Sequence, residues 1–231
     1  MHRTLILCSL PLTALVLIAA DTAWKDKPVS QWTADDAKQV LTDSPWVKQV
    51  IPQNVRDLSP DERREGGNME ASPGRGVGIA GLGILGRRRQ EEAIARAHYK
   101  PTPAAVTVRW ESALPVRTAE QKTGETEVPT IDGDHYAVVV YDIPTPKRWN
   151  LASELKGIAF LKRDTKKDIK PSHVEILRND DGTATIVYLF PRSVEITKKD
   201  GRLLFIAQIG RLFVSQFFYT EEMQLQGKLE L

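Results

Sequence analysis

The chain has 231 residues, of which 41% are hydrophobic and 27% charged, an ordinary globular balance that excludes a collagen-like or wholly disordered chain. Lys and Arg together number 32 against 30 for Asp and Glu, a net charge of +2, too even for nucleic acid or an anionic surface to be a dedicated partner. Only one apolar run is long enough to matter to a membrane, and it stands at the N-terminus, so a polytopic membrane protein is excluded as well.

Residues 1–20 read MHRTLILCSLPLTALVLIAA. A short basic start, His2 and Arg3, precedes an apolar run that ends in Ile18-Ala19-Ala20. This is the pattern of a secretory signal peptide cleaved before Asp21, with an uncleaved anchor as the competing reading. Removing those 20 residues from the 231 leaves 211, and the loss of Arg3 lowers the charge from +2 to +1. The single cysteine, Cys8, leaves with the signal. The mature chain then has no disulfide framework, no thiol nucleophile and no Cys-ligated zinc. Cys8 lies mid-run without a small residue before it, which argues against lipidation. The expected location is periplasmic or extracellular.

Residues 21–58 hold three of the five tryptophans, Trp24, Trp32 and Trp46. Thr33-Ala34-Asp35-Asp36 reads as a helix start, with Thr33 as cap and acids in the first turn. Ala37, Val40 and Leu41 share one helical face. Ser44-Pro45 reads as a second start, with Val47, Val50 and Ile51 on its apolar side. The expectation is a helical hairpin too small for its own core, docking through Trp32 and Trp46.

Residues 59–103 read as a glycine-rich linker. Ser59-Pro60-Asp61-Glu62 is a capping box. Residues 74–86, GRGVGIAGLGILG, hold six glycines in thirteen positions, which loses too much backbone entropy to fold without strong contacts. A helix is expected near residues 87–98, stopped by Pro101 and Pro103. The glycines also match G-x-G-x-x-G twice, but a dinucleotide site needs a preceding strand and a βαβ unit, and here the preceding sequence is polar. The stretch is apolar between glycines and precedes Arg87-Arg88-Arg89, so weak membrane contact competes with a hinge role.

Residues 104–231 read as a strand-rich domain. Val106, Val108 and Trp110 alternate with Thr107, Arg109 and Glu111, the pattern of a half-buried strand. Residues 136–141, 158–161, 174–177, 185–190, 203–209 and 212–219 are further strands, and a short helix is expected over 151–156. Asn179-Asp180-Asp181-Gly182 and Lys199-Asp200-Gly201 are turns. Alternation of Met223, Leu225, Leu229 and Leu231 predicts a last strand. Consecutive strands with one clear helix predict an α+β fold: a short N-terminal helical segment, a glycine-rich linker and a mostly antiparallel sheet domain.

Asp132, Asp134 and His135 place two carboxylates and an imidazole within four positions, a start for a metal or acid–base site. An Asp-Gly-Asp turn before a strand explains them without metal. His98 and His173 add no paired-histidine spacing, and there is no G-x-S-x-G and no H-E-x-x-H. No catalytic, cofactor-binding or metal-binding residue is therefore assigned. Arg109, Glu111 and Arg117 form the most individual stretch. They are read either as a polar platform for an anionic ligand or partner peptide, or as an ion pair on a solvated face. With Trp32 and Trp46 they are the candidate contacts for a ligand or partner.

Two stretches, Gln31-Trp32-Thr33-Ala34-Asp35-Asp36 running on to Leu41-Thr42-Asp43-Ser44-Pro45-Trp46, and Val108-Arg109-Trp110-Glu111-Ser112-Ala113-Leu114-Pro115, resemble a group of uncharacterised secreted proteins of acidobacteria-like soil bacteria. Those proteins are similar too in a variable glycine-rich insert and an ending like Gly227-Lys228-Leu229-Glu230-Leu231. The resemblance implies secretion and a shared module, and carries no activity or catalytic residue with it. The expected function is a non-catalytic binding or structural module of the cell envelope, with another envelope protein as partner. The alternative is a metal-dependent or acid–base hydrolase centred on the 132–135 loop.

Overall fold

The computed structural model describes residues 23–65, 103–125, 129–144, 152–164 and 166–231. The expected signal segment, the glycine-rich stretch 74–86, the helix at 87–98 and the cap at Asn150 lie outside the described residues.

Two short 3-10 turns, Ala23–Lys25 and Val29–Gln31, lead into helix α1, Ala34–Thr42. Its capping box forms as the sequence predicts: Thr33 Oγ1 accepts from the Asp36 amide, and the Asp36 carboxylate accepts from the Thr33 amide. That backbone bond, reinforced by Lys27 at 3.0 Å, holds the Asp36 carboxyl below its ordinary range. The chain continues through strand β1 (Val47–Val50), strand β2 (Gln53–Asn54) and the short helix α2 (Pro60–Arg64), capped by Ser59. Beyond residue 102 come β3 (Val106–Trp110), helix α3 (Leu114–Thr123), β4 (His135–Pro144), helix α4 (Ala152–Gly157) and β5 (Ala159–Arg163). Strands β6 (His173–Arg178), β7 (Thr183–Pro191), β8 (Arg202–Ile209) and β9 (Leu212–Tyr219) follow, then a small hairpin, β10 (Gln224–Leu225) and β11 (Lys228–Leu229). Among the described residues no helix is long and apolar enough to cross a membrane.

The strands form a five-stranded sheet, β1-β3-β4-β7-β6, and a four-stranded sheet, β2-β9-β8-β5. Every pairing among the described residues is antiparallel, so the architecture is α+β. The sheets share one core. Trp110 meets Phe218 at 5.4 Å between ring centroids, and Tyr188 and Phe190 meet Phe205 at 5.3 and 6.4 Å. Edge-to-face rings of this kind add to the large apolar area that each buries. Chain direction changes sheets at Ile51-Pro52: β1 pairs with β3 in one sheet, and β2 pairs with β9 in the other.

Residues 44–50 correct the sequence reading. They form a turn and strand β1, not a second helix. The unpaired edge of β3 takes four residues, from Val47 opposite Arg109 to Val50 opposite Val106, and a ladder completed there outweighs the local helix-start signal of Ser44-Pro45. The tryptophans belong to the same core: Trp24 meets Trp32 edge-to-face at 5.7 Å and Trp46 at a tilt at 5.8 Å between ring centroids. Trp32 Nε1 donates to the Trp24 carbonyl, and Trp46 Nε1 to the Glu230 carbonyl at 2.7 Å. Residues 23–54 are therefore packed on the sheets of their own chain. The expected final strand is also different. Gln226 and Gly227, at φ of 50° and 76°, turn the chain back into the β10–β11 hairpin. Lys198 Nζ holds that hairpin through Gln224 Oε1 and the Gly227 carbonyl.

Gly157 marks one close approach. A Cβ there would meet the Arg63 carbonyl at 2.7 Å, so glycine lets α4 lie against α2, where Arg63 also pairs with Glu154 at 2.7 Å.

Candidate functional site

Strand alternation turns Trp110 inward and leaves Arg109 and Glu111 on the opposite face of the five-stranded sheet. That face is covered. Helix α3, which the sequence reading did not anticipate, begins three residues after Glu111 and lays Val116, Ala119 and Glu120 against the molecule. Arg109 is 7% exposed, Glu111 0% and Glu120 2%, so the solvated-face reading is corrected: this is a buried charge network.

The network is dense. Arg109 Nη1 reaches Glu120 Oε1 at 3.1 Å and Glu125 Oε2 at 3.3 Å, and its Nε lies 3.9 Å from Glu111 Oε2. Its guanidinium also sits over the Tyr141 ring at 4.6 Å, a favourable cation–π contact. The Tyr141 hydroxyl donates to Glu111 Oε2 at 2.9 Å; burial, then the neighbouring Glu111 carboxylate, pushes the phenol's pKa upward. Arg117 Nη1 donates to Glu120 Oε2 at 3.1 Å and to the Pro129 carbonyl at 3.3 Å, and stands 3.8 Å from Glu111 Oε1. Arg109, Glu111 and Arg117, read as one stretch, do come together. Glu120, Glu125 and Tyr141 complete the group.

Glu111 Oε1 is buried and meets no N–H or O–H donor. The Glu120 carboxyl lies within hydrogen-bonding reach of Glu111, and burial and that neighbouring carboxylate push its pKa up to about 9 against the pull of Arg117 and Arg109. Two carboxyl groups this close in a poorly solvated place cannot both ionise cheaply. Burial and the neighbouring Glu111 carboxylate therefore both favour the protonated form of Glu120.

The network ends at a cleft. Ser112, Leu114, Arg117, Tyr136, Arg192 and Leu229 stand on its wall with Ile196, Lys228, Glu230 and Leu231, around a volume of about 390 Å³. That is within the size range of small-molecule sites, about 300–1,000 Å³. Arg192 is stacked on Tyr136 at 4.4 Å, and donates through Nε to the His135 carbonyl at 3.1 Å and through Nη2 to the Leu231 oxygen at 2.6 Å. Tyr136 is fixed in turn, its hydroxyl accepting from the Ile196 amide at 3.1 Å. Lys228 pairs with Glu230 at 2.9 Å.

No family model, curated protein or solved structure matches this chain. Geometry and chemistry alone carry the functional reading.

Trp32 and Trp46 are 4% and 0% exposed, so both side chains are committed to the core and present no surface to a partner. At the 132–135 loop, Asp132 Oδ1 meets His135 Nδ1 at 2.7 Å and accepts from the Asp134 amide at 3.0 Å. The histidine contact, above all, lowers the Asp132 pKa. Among the described residues no group of three His, Cys, Asp or Glu could hold a metal, so Asp132, Asp134 and His135 do not converge on the three protein ligands that a catalytic zinc takes. Sequence reasoning missed Arg192, Ser112 and Leu114. A proline next to the helix start, Pro115, and a left-handed Gly124 at its end were the available signals for α3.

Proposed function

We propose that the chain is an exported, non-catalytic binding or structural module of the cell envelope, and that the cleft between the start of α3 and the β10–β11 hairpin is where it binds. One observation carries this reading. Arg117 and Arg192 are each held in place by their own contacts and only half-buried, yet Arg117 Nη2 and Arg192 Nη1 make no hydrogen bond among the described residues. Fixed donors beside apolar walls are what a ligand site provides. The buried carboxyl groups Glu111 and Glu120 lie behind Arg117, away from a substrate's approach, and the acid on the cleft wall, Glu230, is paired with Lys228. That favours binding over the hydrolase alternative.

Export rests on residues 1–20, with their basic start, apolar run and Ala19-Ala20 ending. The resemblance to secreted proteins points the same way. In this proposal residues 74–86 are a connecting segment, and another envelope protein is the partner.

Native mass spectrometry of the protein purified from its own envelope fraction tests the reading. A co-purifying small molecule or partner chain is the expected result. A tightly held metal ion would move the reading to the 132–135 loop and to hydrolysis. A bare chain in every preparation would contradict it.

A further inference from the structure

We propose that the cleft takes an organic anion, one carboxylate or phosphate head on an apolar stem, an assignment that rests on the binding reading above. The head group follows from the polar atoms without partners. Arg117 Nη2, Arg192 Nη1 and the Ser112 hydroxyl hydrogen make no bond among the described residues; Ser112 Oγ itself accepts from the Ala137 amide at 3.0 Å. All three are donors. A ligand that satisfies them must bring acceptor oxygens, and guanidinium groups favour the planar, charged ones of carboxylate or the oxygens of phosphate.

Charge agrees with this. The lining side chains carry three cations, Arg117, Arg192 and Lys228, against one acid, Glu230. No side chain caps the N-terminus of α3 at Ala113, so the positive end of its dipole adds potential at the same wall. Preorganisation agrees as well. Arg192 is clamped between the Tyr136 ring and two carbonyl oxygens, and Arg117 between Glu120 and the Pro129 carbonyl. Neither guanidinium must be ordered when a ligand arrives, which removes part of the entropy that binding otherwise costs.

The stem follows from the apolar wall. Leu114, 49% exposed, is one of few large apolar side chains left in water, and Leu229 is half-buried on the far side of the cleft. A volume near 390 Å³ accepts a medium-length acyl chain.

The test is a ¹H–¹⁵N NMR titration of the protein with octanoate, octyl phosphate and octanol, each below its micellar concentration. Octanoate is expected to shift the amides of Ser112, Leu114, Leu229 and Leu231 saturably, and octanol to bind at least tenfold more weakly, the factor that one charge-assisted hydrogen bond is worth. Tighter binding of octyl phosphate than of octanoate would support the proposal and fix phosphate as the head. Leu114→Asp sets a carboxylate at the cleft mouth, at a helix start where acid is favourable for folding; it is expected to abolish octanoate binding. Lys228→Glu, at an exposed side chain, is expected to weaken it severalfold. Equal binding of octanol and octanoate at these residues would overturn the anion assignment and leave the cleft reading standing. Shifts confined to other parts of the molecule, or none with any probe, would overturn both.

Discussion

Two groups of charge meet at Arg117, and they differ in one respect. In the group behind α3, Arg109, Glu111 and Glu120 are closed from water and turned on one another, with the half-buried Tyr141 and the more exposed Glu125 at their margin. In the cleft, the half-buried Arg192 and Arg117 are anchored as well, yet each retains a guanidinium nitrogen with no acceptor among the described residues. The side-chain chemistry is the same. Pairing and access separate a charge that holds the fold from a charge that can hold a ligand. A buried ion network contributes little net stability over an apolar core, but removing one member leaves the others uncompensated.

The contrast can be broken from the buried side first. Glu111→Ala takes one carboxylate from the buried Arg109 and the acceptor from the Tyr141 hydroxyl and is expected to lower stability by about 3–5 kcal/mol, read by urea unfolding. Trp46→Ala, in the apolar core, is expected to cost about 3–5 kcal/mol, and would also show by the same measurement that the N-terminal tryptophans hold the sheets together. A smaller effect comes with a sign. Below a pH of about 4.5 a Glu120 carboxyl is protonated folded or unfolded; from there to about 9 only the folded chain holds the proton, so this group's stabilisation falls as pH rises and is gone once the folded carboxyl ionises. Glu120→Gln keeps a neutral donor toward Glu111. It is expected to gain about 1–2 kcal/mol at pH 8 and nothing at pH 4, by thermal melts across pH. Asp200 runs the opposite way. Burial works against its charge, but Lys166 and the Thr197 cap hold its pKa below the usual value, so its contribution is present above the ordinary aspartate range and lost on acidification. Asp200→Asn is therefore expected to flatten the acid limb of the same melts. Least affected should be Lys228→Glu, whose exposed pair with Glu230 is worth under about 1 kcal/mol. It should change ligand affinity and leave the unfolding curve nearly in place.

Much of the sheet framework was legible because strands with two different faces carry a period of two. Residues 106–110 show it, and Trp110 falls in the core as alternation requires, whereas 185–190 and 203–209 are legible as continuous apolar runs, buried on both faces. The side of Arg109 and Glu111 was legible, but not its burial, because alternation says which face a residue is on and nothing about what covers that face. The cover, α3, is a poor signal: its buried stripe is Pro115, Val116, Ala119 and Glu120, with no large aliphatic residue and an acid at its centre. Residues 44–50 were misread for a related reason. Val47 and Val50 have helical spacing, but β1 lies at a sheet edge where both faces are covered, Val47 on the Arg109 side and Val50 on the Val106 side. The cleft was least legible. Ser112, Arg192 and Leu229 are far apart in sequence, and only the return of the β10–β11 hairpin brings them to one place.

A crystal structure of the protein grown with octanoate tests the central claim most directly. The account predicts the carboxylate within hydrogen-bonding distance of Arg117 Nη2 and Arg192 Nη1, with the acyl chain along Leu114 and Leu229 and the Glu111–Glu120 pair undisturbed behind them. An empty cleft, with octanoate bound instead against the exposed Phe217–Tyr219 pair of β9 or nowhere, would contradict it.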